Sequence, residues 1–155
     1  MTPETFAKIM DRAYVHMRPW SATEIAETLA RPHIHFLTQG QGGLIAQMVA
    51  DECEILIIAT DPDAQRQGLA SSLLAELIRL AATRDISRVF LEVAASNRAA
   101  RAFYAEKGFA PIGTRPGYYT LRDGTKDDGV LLSRSVAQGH TVDAPASQGC
   151  TTKSG

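Results

Sequence analysis

Two short stretches of the 155-residue chain combine residue types that could bind an anion and move a proton. In the first, Arg66 stands two residues before Gly68, Ala70 follows, and the stretch comes directly after an apolar run and Asp61-Pro62. Small residues leave the unpaired N–H groups at the start of a helix accessible, and Arg66 adds positive charge, so this stretch could bind a phosphate. An ordinary turn with a glycine explains the same pattern, because short glycine motifs are weak signals.

The second stretch lies around Glu92, in the middle of an apolar, strand-like run. Alternation puts Phe90 and Ala94 on the same face as Glu92, where a carboxylate is unexpected. Because burial disfavours the charged form, we expect a raised pKa for this carboxyl and a group that can accept a proton. An ion pair with Arg88 or Arg101 is the alternative explanation.

Downstream of this carboxylate, Asn97 and Tyr104 are separated by seven residues. Seven residues make about two turns of helix, so both side chains should project from one face of a helix that Asn97 begins. A phenol in this place could donate a proton. The alternatives are that Tyr104 belongs to the core and that Asn97 serves only as the N-cap.

The elements that must position these groups follow from changes in the hydrophobic period. Residues 53–60 and 88–94 have the pattern of strands, and apolar residues over 69–81 recur at helical spacing. A strand, a helix and a strand in this order predict a right-handed crossover and a parallel strand pair. A helix over 98–107 should follow and end at Gly108.

The other segments predict two N-terminal helices and an otherwise antiparallel sheet. Thr2 and Pro3 should begin a helix over 3–17, and the capping-box pattern from Ser21 to Glu24 should begin a second helix that ends before Pro32. Further predicted elements are strands at 33–37 and 44–50 and a final hairpin of 109–114 and 128–133, with a loop at 115–119 and a turn at 123–124. The fold class is therefore α/β (α+β), with a mixed, mostly antiparallel sheet, one parallel pair and about four helices.

Composition excludes several classes of protein. The formal net charge is −1, which does not favour nucleic acid or an anionic membrane as a partner. No apolar run reaches the roughly 20 residues that span a bilayer, so we expect a cytoplasmic protein. We also expect a monomer or weak dimer. Cys53 and Cys150 lack C-x-x-C spacing, and His33 and His35 lack a third ligand, so neither a disulfide nor a metal site is expected.

The length fits one domain over 1–136. Residues 137–155 are rich in Gly, Ser and Thr and contain few large apolar side chains. A segment of this composition cannot bury enough apolar surface to fold, so we expect a flexible tail.

Both functional stretches resemble signatures of the GNAT acetyltransferases. The string 66–70 after Asp61-Pro62 is similar to their acyl-CoA pyrophosphate loop, in which Arg or Gln is followed two residues later by Gly and two further on by Gly or Ala. In the second string, Asn97 opens a helix, Tyr104 lies two turns on, and Gly108-Phe109 follows the helix end. The two strings cover roughly residues 54–110.

Short strings elsewhere resemble one branch of this family, the bacterial ribosomal-protein-alanine N-acetyltransferases. These strings are Pro19-Trp20-Ser21, Tyr118-Tyr119 and Asp123-Gly124. The resemblance implies a GNAT fold, in which the parallel strands splay, and acetyl transfer from acetyl-CoA, as co-substrate and without a metal. The implied acceptor is the N-terminal α-amine of a protein, most specifically a ribosomal protein that starts with Ala.

The resemblance also implies a role for each matching residue. Glu92 corresponds to the general base and Tyr104 to the general acid. The expected acetyl-CoA contacts are Ile58, Ala59, Thr60, Arg66, Gln67, Gly68, Leu69, Ala70, Ser71, Asn97 and Tyr104. The expected acceptor contacts are Trp20, Tyr118 and Tyr119, although Trp20 could be a core anchor and the tyrosines could cover the edge of the core. A small-molecule amine acetyltransferase and a noncatalytic acyl-CoA-binding module are the alternative functions.

Overall fold

A computed structural model describes residues 1–15 and 17–137 and contains one six-stranded sheet. The strands are β1 (Ile34–Gln39), β2 (Gly42–Val49), β3 (Glu52–Thr60), β4 (Arg88–Ala94), β5 (Ala110–Thr120) and β6 (Lys126–Ser135), and they lie in the order β1-β2-β3-β4-β6-β5. The helices are α1 (Pro3–Ala13), α2 (Ala22–Leu29), α3 (Leu69–Thr83) and α4 (Arg98–Glu106), with one 3₁₀ turn at Pro62–Ala64. Only β3 and β4 are parallel, which confirms the predicted fold class.

Two apolar clusters hold the helices on opposite faces of the sheet. On one face, α1 and α2 pack through Phe6, Met10 and Ile25 against Ile45 and Ile57. On the other face, the buried residues of α3 and α4 pack on the strands; these residues include Leu73, Leu74, Leu77, Ala81 and Tyr104. Each helix thus buries one stripe of side chains, as the helical spacing of the sequence predicts.

The predicted elements and the structure agree within two residues for β1 to β4. The capping box also forms, because Ser21 Oγ accepts from Glu24 N while Glu24 Oε1 accepts from Ser21 N. Asn97 caps α4 by accepting a hydrogen bond from Ala100 N at 3.2 Å. Gly108 has φ +91°, the left-handed conformation expected just after a helix.

The first helix is shorter than predicted, because α1 ends at Ala13 and not at residue 17. The Arg122 guanidinium donates hydrogen bonds to the carbonyl oxygens of Asp11, Tyr14 and Met17. Met17 also forms an antiparallel bridge with Leu121. The hairpin between β5 and β6 therefore draws the chain out of the helix, and this long-range contact leaves no local signal in the sequence.

The predicted loop at 115–119 was wrong, because these residues belong to β5. Arg115 is paired with Gly129 and Tyr119 with Asp127, so several residues of β5 oppose a single residue of β6. Gly117 has φ +60° and donates its N–H to Asp128 Oδ1 at 2.9 Å. A bulge accommodates Pro116-Gly117 within the strand, whereas the sequence alone suggests a loop.

Several expectations concern cysteines, metals and the ends of the chain. Cys53 is a buried free thiol, while Cys150 lies outside the described residues. Of the predicted tail 137–155, the structure describes only Ala137. Within residues 1–15 and 17–137, no group of three His, Cys, Asp or Glu side chains is placed to hold a metal ion. The helices in this part of the chain are too short or too polar to cross a membrane.

The parallel strands separate soon after they meet. Only three residue pairs connect them, from Glu52 with Arg88 to Glu54 with Phe90. Directly beyond this point Leu56 is an extra residue in β3, since Ile55 pairs with Ala46 and Ile57 with Ile45. Such a bulge increases the local twist, and β3 turns away from β4. The resulting gap in the middle of the sheet is the splay that the resemblance predicted.

Gly43 offers a test of the packing between α1 and the sheet. A Cβ added at Gly43 would lie 2.6 Å from Cε1 of Phe6, whose side chain is fully buried. We expect Gly43→Ala to lower the free energy of unfolding by about 1–3 kcal/mol, because the crowded ring must shift. Urea unfolding measures this loss. Gly113→Ala, whose Cβ would meet no atom within 4 Å, is the matched control, and equal stability of the two variants would contradict this packing.

Candidate active site

The gap between β3 and β4 continues into a cleft of about 790 Å³. Its walls come from the separated ends of both strands, the starts of α3 and α4, and the segment after α1. Nine of the residues selected from the sequence line it, namely Trp20, Ile58, Ala59, Thr60, Ala70, Glu92, Asn97, Tyr104 and Tyr119. The cleft therefore brings together residues that are up to 99 positions apart in the chain, from Trp20 to Tyr119.

The other selected residues lie outside this lining. Arg66, Gln67, Gly68, Leu69 and Ser71 form or follow the turn that leads into α3. Tyr118 lies on β5, is 51% exposed, and packs edge-on against Tyr119 with 5.1 Å between ring centres. Tyr119 thus lines the cleft and Tyr118 does not, a difference for which the sequence contains no signal.

The start of α3 presents unpaired donors. Gly68 at the N-cap has φ +76° and Arg66 has φ +70°, so two left-handed residues shape the turn. Ser72 N–H bonds to Gly68 O at 2.9 Å, whereas no hydrogen bond in the described part of the chain uses the N–H groups of residues 69–71. Such a helix start attracts anions through these donors and through the helix dipole.

A second orphaned polar atom lies nearby, at the end of β3. Thr60 Oγ1 is buried and has no hydrogen-bond partner within residues 1–15 and 17–137. The edge of β3 from Ile55 to Thr60 that faces β4 is also unpaired, because the parallel pairing ends at Glu54. An unpaired edge of this kind can accept a further extended chain. The cleft thus offers a row of donors and acceptors to a ligand.

Glu92 points away from α3 and α4, since its neighbours Leu91 and Val93 lie in the cluster under those helices. Its side chain is 14% exposed, and Arg115 Nε lies 3.2 Å from Oε2. Arg88 and Arg101 were considered from the sequence as ion-pair partners of Glu92, and both were wrong. Arg88 pairs with Glu52, and Arg101 donates to the carbonyl oxygen of Ala95.

The Glu92 carboxylate has room because residue 129 is a glycine. A Cβ added at Gly129 would lie 2.7 Å from Glu92 Oε2. Gly129 is paired with Ala94 on one side and with Arg115 on the other, so Arg115 reaches Glu92 across it. Despite this ion pair, Oε2 has no hydrogen-bond donor among the residues that the structure describes. The carboxylate therefore keeps an acceptor position for a donor from the cleft.

Tyr104 is a core residue that also reaches the cleft. It is 3% exposed and makes edge-on contacts with Phe103 and Phe109, with ring centres 5.1 and 5.3 Å apart, so it is a core residue. It also lines the cleft, from the side opposite to Glu92. Burial raises the pKa of its phenol, which consequently stays protonated at neutral pH.

Sequence reasoning missed Tyr14, which lines the cleft just after α1. Burial raises its pKa to about 12. Its carbonyl oxygen accepts a hydrogen bond of 2.8 Å from Arg122, which fixes the backbone there. No sequence signal identifies Tyr14, because its place in the cleft depends on the early end of α1. Gln65, also missed, adjoins Arg66 and donates to the carbonyl oxygen of Thr60 at 3.4 Å.

Arg12 connects α1 with the segment before the turn into α3. It donates to Asp61 at 2.9 Å and to Asp63 at 3.0 Å. Asp61 is only 5% exposed and also accepts the N–H of Asp63. The helix start and the α1 wall of the cleft are therefore held to one another by charge-assisted hydrogen bonds.

Comparisons with known proteins agree with this geometry. A sequence profile of the acetyltransferase (GNAT) family matches residues 11–109. The ribosomal protein bS18-alanine N-acetyltransferase of Escherichia coli (strain K12) is 36% identical over 126 residues, which cover 79% of this chain and 84% of that protein. N-alpha-acetyltransferase RimI of Mycobacterium tuberculosis is 31% identical over 127 residues, which cover 74% of this chain and 77% of that protein.

A solved structure shares the fold. The crystal structure of the ribosomal-protein-S18-alanine N-acetyltransferase from Escherichia coli matches with a TM-score of 0.78 and 34% identity. The match covers 90% of this chain and 91% of that one. The fold is thus shared along nearly the full length of both chains.

The tyrosines of the cleft predict how stability changes at alkaline pH. Burial raises the pKa of Tyr14 to about 12 and also raises that of Tyr104 and Tyr119, whereas an unfolded tyrosine ionises near pH 10. Between about pH 10 and 12 the folded chain therefore binds more protons than the unfolded chain, so the free energy of unfolding should fall as pH rises. The absorbance of tyrosinate measures the ionisation of the tyrosines, and urea unfolding at each pH measures the free energy of unfolding.

Tyr14→Phe is the diagnostic variant for this titration. It should make the alkaline loss of stability shallower, because one raised pKa is removed. The urea-unfolded chain is the reference and should ionise all its tyrosines near pH 10. Simultaneous ionisation of every tyrosine near pH 10 in the folded protein would refute the buried environment of these phenols.

Proposed function

We propose that the acceptor of this enzyme is the N-terminal α-amine of a protein. The premise is that the chain belongs to the GNAT family of acetyltransferases and is an acetyl-CoA-dependent N-acetyltransferase. The most specific form of the proposal is a ribosomal protein that begins with Ala. The observation that carries it is the cleft between β3 and β4, which has Glu92 on one side and Tyr104 on the other. The Escherichia coli relative, whose name gives the alanine of ribosomal protein bS18 as its acceptor, supports this choice.

Acetyl-CoA fits the donors and acceptors of the cleft. We assign its pyrophosphate to residues 67–71 at the start of α3, where the unpaired N–H groups and the charge of Arg66 suit an anion. The amide-rich pantetheine arm suits the unpaired edge of Ile58, Ala59 and Thr60, and Thr60 Oγ1 is a buried hydroxyl that lacks a partner among the described residues. Asn97 keeps its capping bond and also faces this arm.

Acetyl transfer requires a neutral amine. Near pH 7 roughly a tenth of α-amines with a pKa of about 8 are neutral, compared with fewer than one in a thousand Lys side chains with a pKa of about 10.4. One carboxylate is enough to remove the proton from an α-ammonium. Glu92 is suited to this task because it is mostly buried, faces the cleft and has an oxygen without a hydrogen-bond donor among the described residues.

The transfer itself forms a C–N bond and breaks the C–S bond of the thioester. Glu92 takes the first proton from the ammonium group and releases it to water, after which the neutral nitrogen attacks the carbonyl carbon. The C–S bond then breaks, the sulfur leaves as a thiolate, and the second proton of the nitrogen passes to Glu92 as the amide forms. Tyr104 can donate a hydrogen bond to this sulfur because its phenol stays protonated. Full proton transfer from a phenol with a raised pKa to a thiolate with a conjugate-acid pKa of about 8.5 is uphill, so we assign Tyr104 mainly to charge stabilisation.

The acceptor groove has two walls on the Glu92 side of the sheet. Trp20 packs against the core under α1 and α2 and lines the cleft, together with Tyr14. Tyr119 forms the opposite wall and donates its hydroxyl to the carbonyl oxygen of Glu92 at 3.1 Å. Because Arg122 ties these walls together, the groove has a defined width before any acceptor binds. A preformed groove suits an extended peptide end.

A peptide panel tests the choice of acceptor. Purified protein is incubated with acetyl-CoA and peptides that begin with Ala, Ser, Gly or Met, and mass spectrometry with fragmentation locates the added acetyl group. We expect a single acetyl group on the α-amine, fastest for Ala. A peptide with a blocked N-terminus but a free Lys is the control and should stay unmodified. Acetylation of small amines or polyamines alone would replace this proposal by a small-molecule acceptor.

Two conservative variants test the assigned roles. Glu92→Gln should lower kcat by about 10²-fold or more, since general base catalysis typically contributes 10²–10⁴-fold. Tyr104→Phe should lower kcat by loss of the hydrogen bond to sulfur. Calorimetry should show that both variants bind CoA as the wild type does, because neither change affects the start of α3.

Matched controls separate these roles from general damage. Glu106→Gln removes an exposed carboxylate at the end of α4, and Tyr118→Phe removes an exposed hydroxyl outside the cleft. Both controls should retain wild-type kcat within about a factor of two, as surface substitutions usually do. Wild-type rates in Glu92→Gln or Tyr104→Phe would refute the corresponding role.

A further inference from the structure

Glu54 lies where the two parallel strands begin to separate. It is paired with Phe90, and this is the last pair between β3 and β4. Because partners in register share a face and side chains alternate along a strand, Glu54, Phe90 and Glu92 all lie on the face opposite α3. Glu54 and Glu92 are therefore diagonal neighbours in this register, and Glu54 directly precedes Ile55, the first residue of β3 that lines the cleft.

The surroundings leave Glu54 without a direct counter-ion. The other glutamate on this face of β3, Glu52, pairs with Arg88, whose guanidinium also stacks over the Phe90 ring at 5.3 Å. Within residues 1–15 and 17–137, Glu54 forms neither a salt bridge nor a side-chain hydrogen bond. Glu54 thus differs from Glu52 in being unpaired.

Charged groups from three directions face Glu54. Glu92 on β4 acts on it by repulsion, and Arg115 on β5 and Arg31 before β1 act by attraction. Arg115 is held against Glu92, and Arg31 donates to the amide oxygen of Gln47, the β2 partner of Glu54. Partial burial and the Glu92 charge together raise the pKa of Glu54. Two neighbouring carboxylates without full compensation are destabilising in the free protein, unless a cation joins them.

The proposed acceptor supplies such a cation. Near pH 7 about nine-tenths of α-amines with a pKa of about 8 are ammonium ions, so the acceptor reaches the cleft positively charged. Arg115 already offsets much of the charge on Glu92, which weakens the attraction of Glu92 alone for an ammonium group. A second carboxylate restores a net negative potential next to Glu92, where the ammonium group binds before it loses its proton.

We propose that Glu54 is a second carboxylate of the acceptor site, which attracts and holds the ammonium form of the acceptor beside Glu92. This inference rests on the proposed function. It assigns Glu54 to acceptor binding, whereas Glu92 takes the proton. Glu54 accordingly favours binding of the ammonium form of the acceptor over the neutral form. Its effect on binding should therefore decrease as the pH rises and the amine loses its charge.

Glu54→Gln tests the proposal with the Ala-starting peptide as acceptor. Glu52→Gln is the matched control, because it makes the same change on the same face of the same strand, two residues before Glu54. At pH 6.5, Glu54→Gln should raise the acceptor KM about two- to fivefold relative to this control, as expected for loss of a partly exposed ion pair. The KM for acetyl-CoA should not change, since Glu54 lies on the acceptor side.

The pH dependence separates acceptor binding from a structural role. At pH 9.5 most of the acceptor is neutral, so the ratio of kcat/KM between wild type and Glu54→Gln should shrink towards one. A loss that is the same at pH 6.5 and 9.5, or equal effects of Glu54→Gln and Glu52→Gln, would overturn the role of Glu54 and leave the proposed function intact. Absence of α-amine acetylation by the wild type would overturn both.

Discussion

The early end of hydrogen bonding between β3 and β4 is the constraint on which the site depends. Three pairs hold the strands together, and the bulge at Leu56 then turns β3 away. Separation of the strands exposes one edge of each and opens a passage from one face of the sheet to the other. Glu92 reaches this passage from the face of α1 and α2, whereas Tyr104 reaches it from the face of α3 and α4. A fully paired sheet would keep the two groups apart.

Two arginines hold the segments around this opening. Arg12 joins α1 to Asp61 and Asp63, just before the turn into α3. Arg122 joins the β5–β6 hairpin to the end of α1 and to the segment that leads to Trp20. Each arginine binds groups that are far away in sequence, so it links the wall of the cleft to a different part of the sheet. The width of the groove is thus set by charge-assisted hydrogen bonds as well as by the apolar clusters.

The charge around Glu92 depends on the absence of a side chain at Gly129. Without a Cβ at this position, Arg115 can approach Glu92 from β5, and the carboxylate can lie against the backbone of β6. The arrangement places the Arg115 guanidinium beside Glu92 but leaves Glu92 Oε2 without a hydrogen-bond donor among the described residues. A cationic donor that enters the cleft can occupy this position, which is the chemistry expected of an acceptor amine.

Most of the secondary structure could be predicted because it depends on local patterns. Hydrophobic periods, the caps at Ser21 and Asn97, and the glycine at residue 108 placed β1 to β4 and the starts of all four helices to within a few residues. The exceptions have long-range causes. Bonds from Arg122 end α1 early, and pairing with β6 keeps Pro116-Gly117 inside β5 as a bulge. Arg122 is far in sequence from the end of α1, and the paired residues of β6 are not adjacent in sequence to Pro116-Gly117.

The sequence by itself determined the fold class and the position of the glycine turn before α3, because these follow from spacing within single segments. It assigned proton-transfer roles to Glu92 and Tyr104 only through the resemblance of their segments to the family's signatures. Only the tertiary structure decided that Arg115 pairs with Glu92, that Tyr14 joins the cleft and that Tyr118 stays outside it. It also put Glu54 on the same face of the sheet as Glu92. Side-chain pairing between strands depends on register and on where a strand bends, and both are set by contacts among distant parts of the chain.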